Sequence, residues 1–109
     1  MITISTKSLS NSYFHHDENN NVVGVSNPSG LLTKEYVHID MSGNVCGYSK
    51  PDLGGGFMHY DADMHYLGKS VKNPFGGYVH YLEDGEMAGT TVVDLSNNLL
   101  HKKLKIKIF

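Results

Sequence analysis

A short pattern recurs along this chain at nearly constant spacing, and it restricts the possible folds more than any other feature. Tyr36-Val37-His38-Ile39-Asp40 returns 21 residues later from Phe57 to Asp61, and again 21 residues on from Tyr78 to Leu82. An earlier copy begins at Tyr13, 23 residues before Tyr36. Self-similarity at such a period is typical of repeat architectures, in which each unit buries its apolar face against its neighbours. The chain is therefore predicted to be an array of units of roughly 21 residues.

Each copy is followed by a second segment with glycine at its centre, at 22–26, 45–49, 66–70 and 87–91. Between the two segments lie turn residues such as Ser42-Gly43, Asp84-Gly85 and Asn19-Asn20, which tolerate a left-handed backbone. Aromatic and β-branched residues flank these turns, which indicates β-hairpins. The third unit has Asp63-Met64 at this place, which predicts a different loop geometry there.

Composition supports the same architecture. The 109 residues include twelve glycines and nine asparagines, residues that rank poorly in helix interiors. We predict a single all-β domain over residues 1–109, an antiparallel meander or solenoid of four tandem hairpin repeats. The units begin near residues 13, 36, 57 and 78, and half-units occupy 1–12 and 99–109.

The two ends of the chain resemble the two halves of one further unit. Leu99-Leu100-His101 matches the opening of a hairpin, and Ile2-Thr3-Ile4-Ser5 matches a second segment with threonine in the place of glycine. Pairing of the first and last strands would close the array and remove its exposed sheet edges. In the simpler alternative, which we favour, the two terminal half-units cap an open stack.

The segments between hairpins each carry an apolar residue, which we expect to bury the connection. These residues are Leu9, Leu32, Leu53, Phe75 and Leu95. The C-terminal segment 101–108 alternates lysine with leucine or isoleucine from residue 103 onwards, a period-two strand pattern. These lysines could attract a polyanion; the interpretation we favour is a guard against edge-to-edge pairing, which lysines commonly provide at an edge strand.

Charge and motifs exclude several classes of function. The net charge is −2 and every basic residue is lysine, which argues against sequence-specific nucleic-acid binding. A single cysteine rules out an internal disulfide framework. We find no nucleophile elbow, phosphate loop or metalloprotease helix, and no segment of membrane-spanning length. The expectation is a soluble, cytoplasmic, non-enzymatic protein without a cofactor, and the sequence leaves its oligomeric state open.

A column of histidines is the feature most suggestive of a ligand site. Five recur in register, three of them with aspartate two residues on, and residues i and i+2 of a strand share a face. Imidazole and carboxylate together suit a divalent metal. A residue that repeats in every unit also suits a repeated structural role, with the aspartate accepting turn N–H groups; this is the interpretation we favour. The histidines are His15, His38, His59, His80 and His101, and the aspartates are Asp17, Asp40 and Asp61.

An aromatic column shares that face. If it is exposed, it offers a flat surface for stacking on sugars or on a protein; if it is buried, it forms part of the core, which we favour. The candidate ligand face consists of Tyr13, Tyr36, Tyr78, His38, His59 and His80, with Phe57 completing the aromatic column.

The stretch from Gly77 to Gly89, GYVHYLEDGEMAG, resembles the hairpin repeats of choline-binding and glucan-binding bacterial surface proteins. Those repeats have similar length, paired aromatics, a DG turn and a glycine after the second strand. The resemblance implies tandem hairpins and, by extension, a carbohydrate or small ligand. The ligand cages of that family are built largely from tryptophan, however, and this chain has none.

The hairpin turns vary between units while the frame stays constant, as expected of a recognition scaffold. Several turns are acidic, which would favour a partner with a basic surface, such as a nucleic-acid channel. The hypothesis that follows is a protein-binding module, in one version a phage-type, anti-CRISPR-like inhibitor of a host defence nuclease. Its candidate partner-binding residues are Glu18, Asp63, Glu83, Asp84 and Glu86.

Overall fold

The computed structural model describes residues 2–8, 10–29 and 35–102, and these contain ten β-strands. The strands are β1 (Ile2–Lys7), β2 (Tyr13–His16), β3 (Val22–Pro28), β4 (Tyr36–Asp40), β5 (Val45–Pro51), β6 (Phe57–Asp61), β7 (Tyr66–Lys72), β8 (Tyr78–Leu82), β9 (Met87–Val93) and β10 (Leu99–Lys102). The predicted all-β fold class is confirmed, and each repeat supplies one short strand followed by a longer one.

The sheet is a closed antiparallel barrel in which every strand pairs with its neighbours in sequence, and β1 pairs with β10. Ser5 lies opposite Leu99 and Ile4 opposite Leu100, the register predicted for two halves of one hairpin. Of the two arrangements that the sequence permitted, the closed one is the one observed. Four hairpins and a fifth unit, formed by the pairing of β1 with β10, complete the circle. Closure leaves no unpaired edge among the described strands.

The connections at the two ends of the barrel share one backbone geometry. In the β4–β5 turn, Asp40 N–H donates to the Asn44 carbonyl and Gly43 N–H donates to the Asp40 carbonyl. The same pair of bonds occurs in seven of the described turns, four at the hairpin end of the barrel and three at the other, and the turn from Asp52 to Gly56 has the first bond of the pair. The fourth residue of each turn has positive φ, as expected for a tight turn that ends in a left-handed bulge. These residues are Asn11, Asn20, Gly43, Gly55, Met64, Gly76, Gly85 and Asn97.

This shared geometry corrects the prediction for the third unit. Met64 adopts a φ of 67°, and its turn keeps both backbone hydrogen bonds of the others. The loop geometry is therefore unchanged, and methionine occupies a position that glycine or asparagine fills elsewhere at less steric cost. The hairpin imposes the left-handed backbone conformation on this residue, because the turn must match the register of the two flanking strands.

The expected burial of the connections is also wrong where the structure describes them. Leu53, Phe75 and Leu95 are fully exposed, whereas Leu9, Leu32 and the lysine-rich segment after residue 102 lie outside the described residues. The connections need no apolar anchor, because they are hydrogen-bonded turns in their own right. Asp52 shows this clearly, since its carboxylate accepts the N–H groups of Gly54 and Gly56.

Alternation along the strands divides the side chains between an inner and an outer face. His38 and its opposite residue Gly47 are buried, whereas Val37 and Ile39 on the other face are half-exposed. The most buried positions among the described residues are mainly serine, threonine, histidine and glycine, with Ala88 as the buried apolar residue. The interior of this barrel is therefore largely polar, and hydrogen bonds must satisfy it.

Candidate functional site

The inner face of the barrel carries a band of alternating histidines and hydroxyl residues. The short first strand of each hairpin supplies the histidine, and the long second strand supplies a serine or threonine. Each hydroxyl lies between the histidines of two adjacent hairpins, because the strands pair on both sides. The hydroxyl residues are Ser5, Ser26, Ser49, Ser70 and Thr91, and the histidines are His15, His38, His59, His80 and His101.

These ten side chains form one closed circuit of ten hydrogen bonds, here called the His/Ser ring. The Oγ of Ser49, for example, lies 2.6 Å from His38 Nε2 and 2.6 Å from His59 Nδ1. The circuit crosses between the first and last strands at Ser5, whose Oγ is 2.6 Å from His15 Nδ1 and 2.7 Å from His101 Nε2. The remaining contacts are His15–Ser26, Ser26–His38, His59–Ser70, Ser70–His80, His80–Thr91 and Thr91–His101.

Small residues make room for the imidazoles. Gly47 is the cross-strand partner of His38, and directly opposed residues project to the same face of a sheet. The same pairing joins Gly24 to His15, Gly68 to His59 and Gly89 to His80. With no side chain opposite, each of these four imidazoles can reach sideways to the hydroxyls on both flanking strands, whereas the fifth, His101, lies opposite Thr3. The glycine in the second segment therefore has a steric role that the repeat pattern alone did not reveal.

The ring holds its histidines in the neutral form. Burial lowers the pKa of His38, His59 and His80 from 6.5 to about 4, and that of His15 and His101 to about 3. Neighbouring histidines lower the pKa further for all of these except His80. A neutral imidazole donates through one nitrogen and accepts through the other, which matches the two hydroxyls that each histidine contacts.

In each predicted His–Asp pair, the histidine and the aspartate have different structural roles. Asp40 accepts turn N–H groups from Ser42 and Asn44, and Asp17 and Asp61 do the same in their own turns. Turn N–H groups hold the pKa of Asp17 and Asp61 below the usual carboxyl range. The aspartates thus have the turn role that the sequence predicted, whereas the histidines contact side-chain hydroxyls.

The aromatic column lines the inner face beside the ring, towards the end of the barrel where successive hairpins are connected. Tyr13, Tyr36, Phe57 and Tyr78 are half-buried, and adjacent rings meet at an angle with centroids 6.0–6.1 Å apart. Burial, aided by neighbouring tyrosines, raises the pKa of Tyr13 and Tyr78. The predicted ligand face is therefore an interior layer in which His38 and His80 are buried and the tyrosines are partly accessible.

The predicted acidic residues come together at the opposite end. All four hairpin turns project from that end, and we call their acidic side chains the acidic rim. Eight of the eleven carboxylate residues in the chain lie there. The five candidate partner-binding residues Glu18, Asp63, Glu83, Asp84 and Glu86 are all exposed on this rim.

One turn of the rim has a set of possible metal ligands. Asp61, Asp63 and His65 offer atoms within 4.8 Å of one another. His65 Nδ1 lies 3.2 Å from an Asp61 carboxylate oxygen, and the other Asp61 oxygen accepts two turn N–H groups. These contacts account for the cluster without an ion. In the His/Ser ring, both nitrogens of each histidine already contact a hydroxyl.

Comparison with known proteins gives a likeness of fold alone. The chain is similar to an X-ray structure of a protein from Arabidopsis thaliana, with a TM-score of 0.56 and 12% sequence identity over 92% of this chain and 78% of that one. No protein-family model matches the sequence, and no curated protein matches it. None of the described segments is a helix long and apolar enough to cross a membrane.

The hydroxyl half of the ring was not recognised from the sequence, although a signal for it exists. Ser5, Ser26, Ser49, Ser70 and Thr91 recur with the period of the histidines. Serine is common in turns and on surfaces, so its recurrence carries little weight until strand pairing, and for Ser5 barrel closure, places each hydroxyl between two histidines.

Proposed function

We propose that this protein is a non-enzymatic binding module that engages a basic protein surface through its acidic rim. The observation that supports this proposal is the separation of charge along the barrel axis. Eight carboxylate residues lie at the hairpin-turn end, and three, Glu35, Asp52 and Asp94, lie at the other. An acidic surface on a rigid frame accelerates association with a basic partner and fixes its orientation.

The β8–β9 turn is the densest part of the rim. Glu83, Asp84 and Glu86 are exposed within four residues, and the β6–β7 turn beside it adds Asp63. Within the β8–β9 turn, the Asp84 carboxylate also accepts the backbone N–H of Glu86. Neutralisation to amides keeps an acceptor oxygen at each place, so the backbone of the turn is expected to survive the change.

We therefore expect the variant E83Q/D84N/E86Q to lose most of its affinity for the partner while its unfolding transition stays close to that of the parent chain. The test is an affinity pull-down of the tagged protein from bacterial lysate, read by mass spectrometry, with each variant in parallel. Each removed charge at such an interface is worth about 0.2–1 kcal/mol when exposed and more when desolvated. Weaker capture at higher salt is expected as well.

The control must change net charge equally at the other end of the barrel. S10K/S29K/S96K adds three positive charges at exposed serines of the connecting turns, as many units of charge as the amide variant removes from the rim. We expect this control to capture the same partner as the parent chain. Equal capture by all three proteins would refute the rim proposal, and equal loss in both variants would reduce it to an effect of net charge.

The nature of the partner is a further proposal. A nucleic-acid channel is one basic surface of the right chemistry, and inhibition of a phage-sensing nuclease in the cytoplasm would be one use of such binding. Recovery of a nuclease in the pull-down, with inhibition of its cleavage by the parent chain and not by E83Q/D84N/E86Q, would support that version.

A carbohydrate or small ligand is the second candidate. It is suggested by the likeness to choline-binding and glucan-binding hairpin repeats and by the partial exposure of Tyr13, Tyr36 and Tyr78 beside the ring. Stacking on a sugar requires an accessible ring face. An absence of binding across a glycan array, together with tyrosine fluorescence that no glycan alters, would remove this candidate.

A further inference from the structure

The His/Ser ring has a hydrogen count that matches five neutral histidines. Five hydroxyls and five neutral imidazoles supply ten donor hydrogens for ten bonds. All ten bonds can form only if they run in one sense around the barrel, each group donating to the next. A protonated histidine donates from both nitrogens, so the two bonds beside it run in opposite senses. Elsewhere in the ring, two donors must then converge on one hydroxyl, whose own hydrogen leaves the circuit.

The ring crosses one place where the barrel has no covalent continuity. β1 and β10 are the first and last strands, and four residue pairs join them, from Ile2–Lys102 to Ser5–Leu99. At this seam, Ser5 alone links His15 to His101. Separation of β1 from β10 breaks the Ser5–His101 contact and admits water to His101. The other four histidines keep both hydroxyl partners, because each of those contacts joins strands that follow one another in the chain.

We propose that the β1–β10 seam is an acid-sensitive clasp, which the closed ring keeps shut near neutral pH and which proton uptake by His101 opens as the pH falls. The device would make the barrel a closed module in one compartment and an open sheet with two free edges in a more acidic one. It goes beyond the proposed binding function and does not depend on it.

The sign of the effect follows from the pKa values. Burial lowers the pKa of His101 from 6.5 to about 3 in the closed barrel. Once released, this histidine regains a pKa near 6.5, so the open form binds more protons at any pH below that value. The closed form is therefore fully favoured above pH 6.5, and its advantage declines as the pH falls towards 3. With one histidine released, the equilibrium constant for opening rises by up to about 10-fold per pH unit in this window.

The other charged groups around the seam strengthen this dependence or lie apart from it. His38 and His16 disfavour a charge on His15, while His80 and His15 disfavour one on His101. The titratable groups on the strands that form and flank the seam are Lys7, Tyr13, His15, His16, Asp17, His101 and Lys102, with His38 and His80 on the next hairpins. The carboxylate in this set, Asp17, is occupied by the N–H groups of its own turn.

Hydrogen exchange read by mass spectrometry tests the clasp in the full chain. Protection factors, corrected for the intrinsic effect of pH on exchange, are measured between pH 7 and pH 4.5. We expect peptides from β1 and β10 to lose protection at a higher pH than peptides from β5 and β6, which lie across the barrel. Simultaneous loss in all strands, or retained protection at the seam down to pH 4.5, would overturn the proposal.

A pair of glutamine variants ties the effect to the ring. Glutamine has one donor and one acceptor group but takes up no proton, so H101Q should remove most of the pH dependence of seam opening. H65Q replaces a histidine in the exposed β6–β7 turn outside the ring and should keep the dependence of the parent chain. If H101Q leaves the barrel folded and its pH dependence equals that of H65Q, the ring is not the sensor. If H101Q fails to fold, H101N, which also takes up no proton, provides the same comparison.

Discussion

Replacing Ser49 with alanine is expected to lower the free energy of unfolding by about 2–5 kcal/mol. The Ser49 hydroxyl is 4% exposed and contacts one nitrogen of His38 and one of His59. Its removal leaves two buried imidazole nitrogens without these partners, and each unsatisfied buried polar group costs about 1–3 kcal/mol. Because the ring runs in one sense, the loss also ends the mutual polarisation of the remaining bonds. Thermal or denaturant unfolding measures the change.

Two matched variants separate the hydroxyl from other effects of this substitution. S49T keeps the hydroxyl, and Thr91 shows that a threonine fits the equivalent place in another unit, so S49T should retain most of the stability. S42A removes a serine from an exposed hairpin turn and should change stability by less than about 0.5 kcal/mol. If S49A proves as stable as S42A, the ring bonds contribute little and water replaces them readily.

Deletion of one whole repeat is expected to abolish the cooperative fold. Removing residues 47–67 joins Cys46 to Gly68 and preserves the local sequence pattern of every remaining hairpin. An open stack of repeats would tolerate this loss, since each unit contacts only its neighbours. A closed barrel fixes strand number, tilt and register together, and four units would have to close a smaller circle, with the inner ring compressed. We expect the deletion variant to show no cooperative unfolding transition when denaturant is added at 25 °C and the signal is followed by circular dichroism.

A circular permutant is the control for chain disruption as such. Residue 109 is joined to residue 1 through a flexible linker, and new termini are placed between Ser42 and Gly43 in an exposed turn. All five hairpin units remain, so the permutant should unfold cooperatively, close to the parent chain. A deletion variant that folds as stably as the permutant would show that closure is dispensable.

Much of the fold could be predicted from the sequence, because the repeat supplies several copies of each strand and turn pattern. Strand positions, hairpin pairing and the half-units at the two ends all followed from the period and the turn residues. Closure itself was one of two arrangements. What separates them is the pairing of Ile4 and Ser5 with Leu100 and Leu99, a long-range contact that local propensity does not encode.

The errors have a common physical cause. Leu53, Phe75 and Leu95 were assigned to burial because apolar residues between strands usually anchor a loop, and Met64 was assigned to an altered turn because methionine rarely adopts positive φ. In both cases, the hydrogen-bond geometry of the turn overrode the preference of the side chain. The acidic residues were easier to place, since hairpin turns of an up-and-down barrel must emerge at the same end.

The candidate site shows more clearly how far the sequence alone can predict the structure. The histidine column was visible, and its structural use was favoured over metal binding, but its partners were not identified. A serine on the neighbouring strand becomes a partner only when the register of the strand pairing brings it within 2.5–2.6 Å of an imidazole nitrogen, and barrel closure adds the last contact, between Ser5 and His101. The ring is therefore a property of the assembled barrel and is absent from any single hairpin.

The most direct test of this account is the protonation pattern of the five ring histidines at pH 7. Long-range proton–nitrogen correlation spectra of nitrogen-labelled protein distinguish the two neutral tautomers from each other and from imidazolium. We predict five neutral imidazoles of one tautomer, all protonated on Nδ1 or all on Nε2, because an unbroken circuit runs in a single sense. A mixture of tautomers, or a charged histidine among His15, His38, His59, His80 and His101, would contradict the closed ring.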